Sequence, residues 1–351
     1  MTEDFRALPD LASGALGGAV VWCNDEFYAD AFNLVSPGKP THDPADFNTK
    51  GKIYDGWETR RRRDPARDGD SHGLADWAIV RLATPAVVRG VNVDTSFFRG
   101  NFPPFASVEA ATMLGHPTLE DLENAQWFTV VEKTGLEGDS ANVIAAEPGN
   151  QLVTHVRLTI YPDGGVARFR VYGEALPDPR FLGGRIDLGA TINGGRITGC
   201  SNMFYSSPAN VLAPGRAAIM SDGWETARRR DDGNDWLIVD LGAAGVLHNV
   251  VIDTLRFVGN APGWARLTDA DTGEELLEYT ALLPDSEHRF RIASESVVSR
   301  VRLDIYPDGG ISRLRINGQV SAAAGEEYGA RWLSMLPPDQ AKLCDTAEFF
   351  E

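Results

Sequence analysis

The residues best suited to chemistry lie in two stretches that are nearly the same stretch. Residues 55–63 read DGWETRRRR and residues 222–230 read DGWETARRR. Each sets a glutamate, Glu58 or Glu225, two or three positions ahead of an arginine run, in a chain of formal net charge -17 at pH 7. Paired guanidinium groups capture a carboxylate or a planar urea-like group bidentately, fixing its orientation as the point charge of lysine does not. Side chains alternate along extended backbone, so neighbouring arginines face opposite ways. Some then meet an anion while others pair with acids such as Asp64 or Asp231. The rival reading is structural: Asp55 and Gly56 turn the chain, Trp57 plugs the core, and the arginines form a solvated edge that discourages strand pairing. Recurrence of the phrase in an acidic chain favours chemistry.

A second repeated phrase adds polar groups. VDTSFFRGNFP, residues 93–103, returns as IDTLRFVGNAP, residues 252–262, so Asp94, Thr95, Gly100 and Asn101 recur as Asp253, Thr254, Gly259 and Asn260. An Asx-type turn at a strand end accounts for the Asp and Gly without any site. The differences point to the first copy, where Arg99 stands opposite Val258 and Glu109 opposite Thr268. IYPDGG also occurs twice, with Tyr161 and Asp163, then Tyr306 and Asp308, and a tight hairpin explains it. None of the six histidines, His42, His72, His116, His155, His248 and His288, shows HxH or HExxH spacing. No metal site is supported locally, although ligands from distant loops stay open. His42, His72 and His116 fall in or beside stretches present only in the first copy, which makes them candidate acid–base or metal groups. GxSxG, P-loop and GxGxxG signatures are missing, which disfavours a serine hydrolase, an NTPase and a dinucleotide enzyme.

These groups must be positioned mostly by strands. VRLTIY alternates Val156, Leu158 and Ile160 with Arg157 and Thr159, VNVDT and VVIDT do likewise, and no long stripe of period 3.6 competes. Four blocks recur in order: the segments from Trp22 and Gly199, Asp55 and Asp222, the segments from Asp76 and Asp235, and those from Val156 and Val301. The first copy carries extra chain around residues 39–52, 64–72 and 112–145. A repeat this long makes each copy a domain rather than a solenoid unit. The expectation is all-β: two tandem jelly-roll sandwiches from a duplication, residues 1–178 and 186–322, with a partly helical tail over 323–351. At 351 residues and 43% hydrophobic content the chain can form two cores of its own. Its acidity argues against nucleic acid and anionic membranes as partners. With no apolar leader and no long apolar run it reads as cytoplasmic. Cys23, Cys200 and Cys344 are too few for a disulfide framework and read as reduced, with a Cys23 to Cys200 pairing as the lesser alternative.

DGWET-RRR, then DW-IV-L, then V-V/I-DT---F-GN and finally IYPDGG, twice over, resemble the allantoicase family across essentially residues 10–322. The resemblance implies galactose-binding-like jelly rolls, hydrolysis of allantoate to ureidoglycolate and urea, and a homo-oligomer, trimer or hexamer. It leaves the cofactor open between none and a divalent metal such as manganese. Allantoate is a carboxylate whose α-carbon bears two ureido groups, so losing one requires a proton on the departing nitrogen and a water activated by a carboxylate. For the anion clamp the expected residues are Arg99 with one or two of Arg60, Arg61 and Arg62. Asn101 and Trp57 are expected against the substrate, and Glu58, Asp94 or Glu109 in acid–base work. Asp222, Glu225, Arg228, Arg229, Asp253 and Asn260 would form a second site or buttress the first. A non-catalytic tandem module for carbohydrate or a small anion, stacking ligands on Trp57 and Trp224, is the rival class. A duplicated scaffold with arginines paired across subunits is a third.

Overall fold

The computed structural model describes residues 4–62 and 75–351, so Asp64, His72 and the stretch 64–72 lie outside the described residues. The chain divides into two compact units, Met1–Glu174 with Met335–Leu343, and Ala175–Ser334 with Cys344–Glu351. Each is an antiparallel β-sandwich of the jelly-roll kind.

In the first unit the strands are β1 (Ala19–Cys23), a small hairpin of β2 (Phe47–Asn48) and β3 (Gly51–Lys52), β4 (Trp57–Glu58), β5 (Asp76–Asp94), β6 (Phe105–Ala111), β7 (Phe128–Gly135), β8 (Ala141–Ala145), β9 (Val153–Tyr161), β10 (Gly165–Val166) and β11 (Arg168–Ala175). The main sheet runs β1-β5-β9-β6-β7, with β8 and β11 also on β5. The 19-residue β5 serves both faces of the sandwich: Asp76–Arg81 pairs with β9, and Gly90–Asp94 pairs with β8. The register slips between Arg81 and Ala86, where Pro85 has no amide hydrogen to give a ladder. Val80, Val91, Val93, Leu158, Ile160, Phe169 and Val171 are fully buried and form its core.

The second unit repeats the plan with β12 (Ile186–Asp187), β13 (Arg196–Cys200), β14 (Trp224–Glu225), β15 (Asp235–Asp253), β16 (Trp264–Asp269), β17 (Glu275–Ala281), β18 (Glu287–Arg291), β19 (Val297–Tyr306), β20 (Gly310–Ile311) and β21 (Arg313–Val320). The slip in β15 falls between Asp240 and Gly245, so glycine does here what proline does in β5. Leu237, Val239, Val250, Ile252, Leu303, Ile305, Leu314 and Ile316 make its core.

Three sequence expectations change in detail. IYPDGG is not a hairpin: β9 pairs with β5 and β6, β10 pairs with β4, and β11 returns to β5, so the phrase is a corner that hands the chain from one sheet to another. The extra chain expected over 112–145 narrows to 112–127, because β7 and β8 have counterparts in β17 and β18. The tail is not one piece, since Met335–Leu343 belongs to the first unit and the helix Ala322–Ser334 to the second. In the second unit that helix is anchored by buried Trp332, whose Nε1 donates to Leu176 O at 3.2 Å, and by Tyr328, whose hydroxyl donates to Pro177 O at 2.8 Å.

Candidate active site around Glu58

In each unit the DGWET-RRR phrase lies against the IYPDGG corner. Trp57 pairs with Val166 and Glu58 with Gly165; Trp224 pairs with Ile311 and Glu225 with Gly310. Thr59 Oγ1 receives the Gly164 amide at 3.1 Å, and Thr226 Oγ1 receives that of Gly309 at 3.1 Å. The two phrases recur together because they are one structure.

The run of arginines separates into three jobs. Arg60 pairs with Asp25 at 2.5 Å; in the second copy both charges vanish together, and the Ala227 amide donates to Asn202 Oδ1 at 2.9 Å. Arg62 is a latch. Its amide donates to Asp163 Oδ2 at 2.7 Å, and its guanidinium pairs with Asp76 at 2.5 Å, side chains 7% and 1% exposed. Arg229 repeats this with Asp308 and Asp235, and adds the Asp231 pairing expected from sequence. Between them, Arg61 and Arg228 are exposed and have no hydrogen-bond or ion-pair partner among the described residues.

Trp57 and Trp224 are 0% exposed, and their indole nitrogens donate to Asp25 O at 2.7 Å and Asn202 O at 2.8 Å. The substrate contact expected of Trp57 does not fit, because a ring sealed in the core offers no face to a ligand. Stacking of a sugar on either tryptophan fails for the same reason. Glu58, one residue on, points to the opposite face. There Asn101 Nδ2 donates to Glu58 Oε1 at 2.8 Å, and Asn260 Nδ2 donates to Glu225 Oε1 at 2.6 Å in the second copy. Burial pushes the Glu58 carboxyl above its ordinary range, and the Asn101 bond holds it back in part.

The burial has an identifiable source. A Cβ on Gly165 would lie 2.0 Å from the Phe98 ring, and one on Gly310 would lie 1.9 Å from that of Phe257. Directly opposed residues of an antiparallel pair share a face. Phe98 therefore lies beside Glu58, and only glycine opposite Glu58 leaves room for it. Tyr54 stacks on Phe98 at 4.8 Å and His42 on Tyr54 at 5.4 Å, nearly parallel at 7°. Phe97 closes on His42 at 5.3 Å. Phe97 is held at φ 70, the left-handed region that a bulky residue avoids, by its amide bond to Asp139 Oδ1 at 2.7 Å. The second copy keeps the strain, with Arg256 at φ 74 on Asp285, and keeps the Phe257 ring, but has no ring at the positions of Phe97 and Tyr54. Ser221 stands where the repeat offset puts Tyr54, and the stretch 39–52 has no counterpart. That stretch is tied down by Lys50, whose Nζ donates to Phe27 O at 2.8 Å, whereas Phe204 and Tyr205 of the second copy are 70% and 64% exposed.

Arg99 is largely exposed and bonded through Nε to Asp139 at 2.9 Å, so it borders the same group. Asp94 receives the Ser96 amide at 2.8 Å and Asp253 that of Leu255 at 2.8 Å, which is the Asx turn. Glu109 sits across the sheet on Arg157 at 2.6 Å, and no hydrogen bond among the described residues joins it to Glu58. Asp222 is occupied by the Ala218 amide at 2.8 Å. Sequence reasoning missed Tyr54, Phe97 and Phe98, and also Asp76 and Asp163 as the anchors of Arg62; the recurrence of Asp163 and Asp308 in phase with the arginines was the available signal. Among the described residues no group of three or more His, Cys, Asp and Glu side chains is arranged to hold a metal ion. All three cysteines are free, and burial with the Glu26 carboxylate pushes the Cys23 thiol up to about 12, too high for a nucleophile at neutral pH. A cavity of about 310 Å³ lined by Val87, Phe128, Val130 and Glu147 contains none of these groups.

Residues 9–176 and 186–321 match the family described as Allantoicase repeat. A probable allantoicase of Nocardia farcinica is 47% identical over 322 residues, 90% of this chain and 95% of the relative. One of Streptomyces avermitilis is 46% identical over 341 residues, 93% and 90% respectively. The crystal structure of allantoicase from Saccharomyces cerevisiae superposes with a TM-score of 0.76 at 34% identity, covering 90% of this chain and 96% of that one.

Proposed function

The chain belongs to the allantoicase family, hydrolases that cleave allantoate to ureidoglycolate and urea, and on that premise we propose that its own hydrolysis of allantoate takes place at Glu58 of the first copy. The observation that carries this is the half-buried carboxylate of Glu58, raised in pKa by burial and accepting the Asn101 side-chain amide. A carboxylate so placed is a general base, since an N–H donor supports the charged form while desolvation increases its appetite for a proton. Glu58 takes a proton from water as the water adds to the α-carbon, and Asn101 keeps the carboxylate aimed. Arg61, exposed three residues after Glu58, and Arg99, bonded through Nε to Asp139, supply guanidinium groups for the substrate carboxylate and ureido oxygens. Arg62 contributes by locking the segment to Asp76 and Asp163. No step runs through a metal.

The second copy keeps the Glu225–Asn260 pair but has Val258 for Arg99, Ser221 for Tyr54 and no stretch like 39–52, which supports a single site per chain. The reading extends to a cytoplasmic protein, consistent with three free cysteines, and to a homo-oligomer, which rests on family resemblance alone. No helix among the described residues is long and apolar enough to cross a membrane. Urea release from allantoate by the purified protein and its Glu58→Gln variant tests the proposal; a variant as fast as the parent removes Glu58 from the reaction.

A further inference from the structure

A base alone does not complete this hydrolysis, because urea leaves only when its nitrogen gains a proton. Among the described residues Glu58 is the one carboxylate bonded to the Asn101 side chain, and Asp94 and Asp55 are engaged by backbone amides and, for Asp55, by Arg168 at 2.9 Å. From Phe98, whose ring approaches the glycine opposite Glu58, a column of stacked rings runs through Tyr54 to His42. Its last member is partly buried, and its Nδ1, shut off from solvent, has no hydrogen-bond partner among the described residues. Native structures rarely leave such a nitrogen unpaired, and a role in catalysis is one explanation for it. Imidazole is also the side chain that gives and takes protons near neutrality.

Resting on the reading of Glu58 as the base, we infer that His42 is the general acid that protonates the departing ureido nitrogen. As the bond between the α-carbon and that nitrogen breaks, its electron pair stays on nitrogen and takes the proton of the imidazolium, giving neutral urea and neutral His42. The lone pair of the remaining ureido nitrogen forms a C=N bond to the α-carbon. Water then adds to this carbon as Glu58 takes its proton, the C=N pair returns to nitrogen, and ureidoglycolate results. The proton on Glu58 returns to His42 through solvent, so the cycle consumes one water and nothing else. The charged and titratable groups around the ring are Tyr54 beneath it, Lys52 over Tyr54 at 5.6 Å, Asp43 next in sequence, Asp55 on the Thr41 amide, and Asp139 with Arg99 behind Phe97. The second copy has neither His42 nor Tyr54, so the inference also gives the reason why a retained Glu225–Asn260 pair is not a second active site.

The test is the pH dependence of kcat and kcat/KM for allantoate in the parent, His42→Phe and His42→Gln. Phenylalanine keeps the stacked column but has no proton to give. Both variants should fold, keep KM within a few fold, lose roughly 10²–10⁴ in kcat, and lose the alkaline limb of the profile, which belongs to the acid. Glu58→Gln, run alongside, should lose the acidic limb instead. A His42→Phe enzyme with parental kcat and an intact alkaline limb would show that His42 only packs, and would overturn the inference while leaving Glu58 as base. Parental kcat in Glu58→Gln would overturn the reading beneath it.

Discussion

Asn101 Nδ2 lies 2.8 Å from Glu58 Oε1, joining two residues that are 43 apart in sequence. The duplication repeats the bond at 2.6 Å between Asn260 and Glu225. In both units the asparagine is also fixed through its backbone, its carbonyl accepting the amide of Gly165 at 2.8 Å or Gly310 at 2.9 Å. The glycine opposite the glutamate thus makes room for the phenylalanine and seats the asparagine at once.

Replacing Asn101 by alanine removes the one side-chain donor, among the described residues, that holds the Glu58 carboxyl down. Its pKa then rises further, and since the base works only when ionised, the acidic limb of kcat/KM must move to higher pH. A hydrogen bond to a charged group is worth about 1.5–3 kcal/mol, so kcat near neutrality falls roughly 10–100-fold. An acidic limb that stays put would detach Asn101 from the base.

Neighbouring arginines should separate cleanly. Arg61→Ala raises KM roughly tenfold or more at an unchanged melting temperature, because the side chain is exposed and free of partners among the described residues. Arg62→Ala leaves Asp76 charged and buried, and loses about 3–5 kcal/mol of stability in a guanidinium melt. Equal stability of the two variants would contradict this division.

Acid stability should have a component from His155. Its ring is 2% exposed on Thr154, and burial, with Arg81 adding to it, lowers its pKa from 6.5 to about 4. The unfolded chain therefore binds the proton first, so stability present above about pH 6.5 drains away as the pH falls toward 4. His155→Phe should flatten that slope, as read by melting temperature across pH 4–7.

The sequence showed the duplication, the strands and the individual Glu58 and Asn101, because those repeat in phase. Their partnership was not visible, since strand register brings them together from separate phrases. Arg62 looked like its neighbours because the acids that bury it, Asp76 and Asp163, lie 14 and 101 positions away. The column of His42, Tyr54 and Phe97 occurs only once in the chain, so no internal repeat could flag it.

On the proposed assignment, in which Glu58 and His42 move the protons, urea release should survive exhaustive EDTA treatment. Loss restored by manganese would instead assign a metal to histidines of the first copy.

If one copy of the duplicated pair does the chemistry, urea release from allantoate by Glu58→Gln and Glu225→Gln under identical conditions must separate the two glutamates. Glu58→Gln should lose roughly 10²–10⁴ in kcat, and Glu225→Gln should run within about threefold of the parent. Equal losses, or an inactive Glu225→Gln beside a fully active Glu58→Gln, would contradict a single site in the first copy.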